Sequence, residues 1–355
     1  MNMLDYINET KDVLERILSN KTESFLETLE LLETKVDQIY LLGSGTSCHA
    51  GIAVKKFLED ILEIRVTPMF PNEFLDLEKP LNKNVIVVGI SQSGGSQSTA
   101  NALAYASVNG MKTLAIVGEK NTLLETVTPH TIYMDCGKEV AVAKTKGYSA
   151  CVFTLMILGL ELAKQYQSIT DSEYKSYYAE LIETVNNIPN VITASTKWAD
   201  TIVDKLTDKK FLYVLGYENQ LGTIKEGVLK LLETVRVAVS GYDIEEFMHG
   251  IYNSMKEDSV LIYIVNKSKY HERAVKLSNY LMNTTKHQYS IGKDVEANNR
   301  NLKFDFIDNH YFSVIEYIIP FQVLAYKLST AKGIDPSKPS DANFHAAMGS
   351  KVLNK

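Results

Sequence analysis

The chain has 355 residues, enough for two domains of ordinary size, with 45% hydrophobic and 23% charged residues, the balance of a globular protein. A net charge of −6 without any basic block or arm excludes the electrostatic footprint of a nucleic-acid binder. Cys48, Cys136 and Cys151 are odd in number and lack CxxC spacing, so they suggest neither a disulfide framework nor a zinc cage and fit a reducing cytoplasm.

The first thirty or so residues mix charged and apolar positions at helical spacing and read as a helical lead-in rather than a signal peptide. From there short β-like runs alternate with helical patterns. Residues 38–42, 85–90, 112–117 and 131–134 read as buried strands. Residues 151–160 form the longest apolar stretch, which stops at Glu161, short of the roughly 20 residues a membrane span needs, and reads as a buried helix. A mostly helical stretch over 171–205 follows. A second series then runs through 211–215, 260–265, 288–291 and 304–307. Buried strands separated by helices imply parallel βαβ units with helices on both sheet faces. The first strands of the two series end at Gly43 and Gly216 and the second strands at Ser91 and Asn266, near-constant offsets that predict an internal repeat.

Two loops carry the chemistry. Gly89-Ile90-Ser91-Gln92-Ser93-Gly94-Gly95-Ser96 follows a strand and opens a helix. In that geometry backbone N–H groups and the helix dipole converge on an anion, while glycines permit close approach. A polar surface turn has the same composition for backbone reasons alone. Gly43-Ser44-Gly45-Thr46-Ser47-Cys48-His49 lacks the third glycine of a dinucleotide fingerprint, which would fall on Cys48, and no GxxxxGK[ST] element occurs. Both loops follow predicted parallel strands, at the edge where open α/β sheets bind ligands. The repeat's second copy has Asn266-Lys267-Ser268-Lys269 in place of the serine-glycine loop, so one phosphate loop per chain is expected.

These loops, with Val140-Ala141-Val142-Ala143-Lys144-Thr145-Lys146 and the helix Glu226-Gly227-Val228-Leu229-Lys230-Leu231-Leu232-Glu233, resemble the sugar isomerase (SIS) family. The resemblance covers most of the chain and is greatest to the isomerase half of glucosamine-6-phosphate synthase, phosphosugar isomerases and fructosamine-6-phosphate deglycases. The family's GxGTS loop appears at Gly43 to Ser47 and its SQSG loop at Ser91 to Gly94, followed here by Gly95-Ser96 where Glu-Thr is common. The synthase helix EGALKLKE aligns without a gap, and His249 follows Glu233 by sixteen residues, as in the family pattern.

The resemblance implies an α/β fold of two tandem SIS domains, each a flavodoxin-like parallel sheet flanked by helices. The boundaries are 1–30 for the lead-in, 31–170 for the first domain, 171–205 for the helical linker, 206–345 for the second domain and 346–355 for the tail. It also implies proton transfer between C1 and C2 of a sugar 6-phosphate, with Glu233 as base and His249 assisting ring opening in the neighbouring subunit of a homodimer. Gly45, Thr46, Ser47, Ser91, Gln92, Ser93, Ser96, Val142, Ala143 and Lys230 would hold the phosphosugar, and His345 would help close the pocket. No metal, cofactor, nucleic-acid or membrane partner is expected. Read without the family, Glu226, Lys230 and Glu233 form a helix face of the kind that is usually a solvated ion-pair stripe. Lys144 and Lys146 read most simply as exposed charges, although they also suit a phosphate.

The resemblance also has departures. No cysteine precedes Cys48, so the synthase's N-terminal glutaminase is not expected. Phe344 stands where a gap-free alignment places its Schiff-base lysine, which favours deglycase or isomerase chemistry over synthase chemistry. An amino-sugar-phosphate deaminase or a non-catalytic phosphosugar sensor are the alternatives.

Overall fold

The computed structural model describes residues 2–19, 23–77 and 84–351. Residues 20–22 of the expected lead-in and 352–355 of the expected tail lie outside the described residues. In chain order the elements are α1 (Met3–Asn8), α2 (Thr10–Ser19), α3 (Glu23–Leu31), β1 (Gln38–Leu42), α4 (Thr46–Leu62), β2 (Arg65–Met69), α5 (Pro71–Leu75), β3 (Val85–Ser91), α6 (Gln97–Val108), β4 (Lys112–Val117), β5 (Thr131–Tyr133) and α7 (Lys146–Gln165). There follow α8 (Asp171–Ile202), β6 (Phe211–Gly216), α9 (Leu221–Val235), β7 (Ala238–Asp243), α10 (Ile244–Met248), β8 (Val260–Ile264), α11 (His271–Leu281), β9 (Gln288–Gly292), β10 (Leu302–Lys303), α12 (Ser313–Ala331) and α13 (Phe344–Met348).

Over the described residues the chain forms two compact units. One lies within Asp12–Val140, Lys146–Ala179 and Ser340–Lys355, and the other within Met1–Lys11, Ala141–Thr145 and Glu180–Pro339. The units are therefore not two consecutive stretches of sequence. The short piece Ala141–Thr145 belongs with the second sheet, and the segment from Ser340 belongs with the first.

The first unit holds a five-stranded, all-parallel sheet in the order β2-β1-β3-β4-β5. β3 is buried along its whole length and β4 at every position but Lys112, as strands covered on both faces must be. One face packs on Tyr40, Leu42, Phe74, Leu103 and Ala106. α7 is buried along almost its whole length, and α4 approaches it so closely that a Cβ on Gly159 would come within 2.2 Å of Leu58. α7 is the one described helix long and apolar enough to cross a membrane, and 94% of its apolar window is buried in the fold.

The other unit repeats the topology. Its sheet runs β7-β6-β8-β9-β10, all parallel, which is the same order of first, second, third, fourth and fifth strand about the sheet. α12 takes the place of α7 as the buried helix, packing on α9. A Cβ on Gly227 would stand 2.8 Å from the Phe321 ring, and Thr234 Oγ donates to the Ala325 carbonyl at 3.2 Å.

Three strand assignments differ from the sequence reading. The last strand is Leu302–Lys303, not 304–307. Phe304 and Phe306 are apolar for another reason: the chain turns back there, Phe306 N–H donating to the Phe304 carbonyl, and the Phe306 ring stacks on Tyr317 of α12 at 4.5 Å. β2 and β7 went unread because both are edge strands with one partner, half exposed, and interrupted by Pro68 in one and Ser240-Gly241 in the other.

Candidate functional site

In the first unit, β1 lies between β2 and β3, so the chain reverses its direction of winding at β1/β3, and the loops leaving those two strands meet at the carboxyl edge. After β1 the chain turns at Gly45, φ +55°, and enters the 17-residue α4 with Thr46 and Ser47 half-buried in its first turn. A side chain on Gly43 would collide with Ser47 at 2.6 Å, so the loop demands glycine for space as well as for torsion.

After β3, Ser91, Gln92, Ser93 and Ser96 lead into α6. Gly94 sits at φ +61° against Thr122, where a Cβ would approach within 2.2 Å, and its carbonyl accepts from Leu124 N–H at 3.0 Å. Thr122 is itself held by Glu125, which accepts from the Thr122 hydroxyl at 2.8 Å and from Tyr133 at 2.6 Å. The hydrogen bond to Glu125, followed by burial, pushes the Tyr133 phenol up to about 12. Ser96 is the N-cap of α6, yet its hydroxyl makes no cap bond and instead accepts from Thr99 Oγ at 2.9 Å. The serines, the Gly94 turn and two helix N-termini thus form an anion-type cradle.

Gln92 has a different task from its neighbours. Its side-chain amide donates to Glu139 at 3.3 Å, and the same carboxylate oxygen accepts the Gly147 N–H at the start of α7 at 3.1 Å. Any side chain at Gly147 would overlap the Gln92 amide at about 2.2 Å. Gln92 therefore anchors the loop to α7 through its side chain, and its backbone carbonyl ties the loop to the end of β4 by accepting from Gly118 N–H at 2.8 Å. Cys136 lies in the same cluster, where burial and then Glu139 push its thiol up to about 11, the opposite of an activated nucleophile. Lys146 is also buried here, not exposed as its sequence context suggested.

In the other unit the helix face of α9 is buried, not solvated. Lys230 is fully buried, with its ammonium 3.1 Å from Glu226 and 2.8 Å from Glu233. Burial works against that charge, but the two carboxylates outweigh it and raise the Lys230 pKa. Glu226 is fully buried, whereas the Glu233 side chain keeps 28% of its surface. Glu233 is thus the accessible carboxylate of a triad whose other two members are sealed. The approach of α9 and α12 at Gly227 provides the low-polarity enclosure.

Val142 and Ala143 belong to this unit, in the segment whose Thr145 carbonyl accepts from Gln322 of α12 at 3.3 Å. His249 caps the C-terminal end of α10 and is exposed, followed by Gly250 at φ +118°. His345, by contrast, is in the unit of the first sheet, exposed, with Nδ1 2.8 Å from Ser350 Oγ. Of the residues singled out from sequence, one unit gathers Gly45, Thr46, Ser47, Ser91, Gln92, Ser93, Ser96 and His345, and the other Val142, Ala143, Lys230, Glu233 and His249. Sequence reasoning missed Thr122 and Glu139, which support the loop from distant positions. Neither falls in a motif, and no signal in the sequence marks either of them.

Comparison with known proteins gives a consistent result. Residues 33–160 match the SIS domain family. A glutamine–fructose-6-phosphate aminotransferase (isomerizing) from Clostridium acetobutylicum is 27% identical over 327 residues, covering 90% of this chain and 53% of the relative, so the chain spans about half the length of the curated relatives it matches. A crystal structure of a protein provisionally described as a phosphosugar isomerase, from Clostridium difficile 630, is 36% identical and superposes with a TM-score of 0.93 over 100% of both chains. A protein provisionally described as sugar-binding, from Salmonella typhimurium LT2, is 34% identical with a TM-score of 0.83, covering 91% of this chain and 99% of the other.

Proposed function

The chain belongs to the SIS domain family, and from that premise we propose that it catalyses proton transfer between C1 and C2 of a sugar 6-phosphate or of its amine adduct. The observation that carries the reading is the α9 triad: two carboxylates share one buried ammonium, and only Glu233 has surface left for a ligand. A solvated ion-pair stripe would leave all three exposed. Burial of Glu226 and Lys230 holds Glu233 in one orientation, which is what a base acting on a carbon acid requires.

The phosphate is held by Ser91, Ser93 and Ser96 with the N-termini of α4 and α6, and Thr46 and Ser47 add donors. This binding energy, remote from the reacting carbons, serves orientation. With an open-chain ketose or aldose phosphate, Glu233 removes the proton on the carbon next to the carbonyl. The electrons form an enediol as the carbonyl oxygen takes up a proton, and after the proton on Glu233 exchanges with solvent the carboxyl delivers one to the neighbouring carbon while the hydroxyl on the first carbon gives up its own. With an amine-linked ketose phosphate, proton removal at C1 and return at C2 converts the C1–N bond to an imine. Water then cleaves the imine to aldose phosphate and free amine. The second reaction is our preferred one, because Phe344 replaces the synthase lysine that the nitrogen-transferring reaction uses. His249, exposed at the end of α10, would open the sugar ring in the neighbouring subunit of a homodimer.

Glu233→Gln keeps the shape and one acceptor of the side chain, so turnover should disappear while phosphosugar binding persists. Turnover retained in that variant removes Glu233 from the mechanism. The relation to the Salmonella protein described as sugar-binding favours a second reading, a non-catalytic phosphosugar sensor. Binding by the Glu233→Gln variant fits both, and turnover by the unmodified protein separates them.

A further inference from the structure

Residues 91–99 carry serine, glutamine, glycine and threonine but no charged side chain. A phosphate monoester brings roughly −1.5 to −2 charges at neutral pH. Neutral donors and helix N-termini satisfy its oxygens but balance little of that charge, and the charge of Lys146, buried in the Gln92 cluster, is offset there by the Glu139 carboxylate, the two acting in opposite directions on Cys136. The segment from Ser340 belongs to the unit that contains this loop. It forms α13, turns at Gly349 with φ +58°, and then pairs the Lys351 backbone in antiparallel fashion with Ser96, the N-cap residue of α6. Paired residues in such a bridge have Cα atoms about 4.5–5.5 Å apart. The main chain of Lys351 therefore runs beside the residue at which the cradle opens, and its flexible four-carbon stem spans the short distance to an anion there.

Two further observations fit. The Lys351 side chain is exposed, so its ammonium is available. Its charge is felt at His345, whose pKa is lowered by burial first and by Lys351 second. The His345–Ser350 contact at 2.8 Å closes the turn that delivers Lys351 to Ser96.

We propose that Lys351 is a phosphate-binding residue, its ammonium supplying the cation that the serine loop lacks, and that His345 is a positioning residue that holds the turn. This rests on the reading of residues 91–96 as a phosphate loop. It makes the 340–351 segment part of the site and gives the site a means of preferring phosphorylated sugars over free ones, since a neutral hydroxymethyl group offers the ammonium nothing.

Inorganic phosphate is the probe, titrated calorimetrically into the full chain and into Lys351→Ala, Lys351→Arg and Ser93→Ala. Loss of one charge-assisted hydrogen bond should weaken phosphate binding about tenfold or more in Lys351→Ala, and arginine should restore most of it. The Lys351 contribution should also shrink as ionic strength rises. Phosphate affinity unchanged in Lys351→Ala but lost in Ser93→Ala overturns the role of Lys351 and leaves the loop reading standing. No phosphate binding by the unmodified chain overturns both. Phosphate affinity as low in Lys351→Arg as in Lys351→Ala overturns the charge role, because a guanidinium carries the same charge as the ammonium.

Discussion

Replacing Lys230 with Met retains most of the side-chain length and removes the ammonium that lies 3.1 Å from Glu226 and 2.8 Å from Glu233. Glu226 is fully buried, so its carboxylate loses the Lys230 cation where water cannot take its place. At an effective dielectric of about 20, opposite unit charges this close attract by roughly 5 kcal/mol before desolvation is counted. Methionine relieves the desolvation of the lysine but not that of Glu226, so the expected loss is about 3–5 kcal/mol, as for other buried pairs broken on one side. Glu233 reaches solvent and adds little to that figure. The Lys230 pKa is raised above its ordinary 10.5, so its stabilising contribution is fully present at neutral pH and is lost only as pH rises through the raised value. Urea unfolding of Lys230→Met, Glu226→Gln and the double variant measures the effect. The double variant, with neither charge left in the sealed part of the triad, should recover much of the loss. A Lys230→Met protein as stable as the original, or a double variant no better than Lys230→Met, refutes the buried triad.

Other perturbations test the remaining parts. Gly94→Ala adds a Cβ 2.2 Å from Thr122 at φ +61°, so phosphate binding measured by calorimetry should fall at least tenfold with circular dichroism unchanged. Normal binding would mean that the loop tolerates rebuilding. In the unit of the second sheet, Asp308 and Glu316 are buried carboxyls whose pKa values are raised chiefly by burial. The folded chain then holds protons the unfolded chain has released, so stability falls as pH rises from the ordinary carboxyl range through the raised values and levels off above them. Asp308→Asn should make the decline of melting temperature as pH rises above about 4 shallower, and superposable profiles would contradict the assignment.

What the sequence disclosed follows from burial. β1, β3, β4, β6 and β8 are covered by helices, so each is an apolar run that reads directly from its residues. β2 and β7 have one partner each and a half-exposed face, which admits Pro68, Ser240 and Gly241 and removes the signal. The candidate site was legible in the serine loop and the Gly43–Gly45 turn, which the structure finds leaving adjacent parallel strands of the first sheet. It was not legible where distant residues meet. A face of Glu226, Lys230 and Glu233 has the same sequence whether water or α12 covers it, and only packing at Gly227 and Thr234 shows that it is enclosed. Likewise, nothing near Gln92 announces that Glu139 holds it, and nothing near Lys351 announces Ser96.

Proton exchange at C1 and C2 is the central claim, and NMR in deuterated water reads it directly. The purified protein is incubated with a panel of sugar 6-phosphates and their amine adducts, following the C1 and C2 protons and free amine. Deuterium incorporation at those carbons, with amine release from an adduct and none of either in Glu233→Gln, is the predicted result. Ligand binding without exchange at either carbon for any member of the panel would contradict the enzymatic reading and leave a phosphosugar sensor in its place.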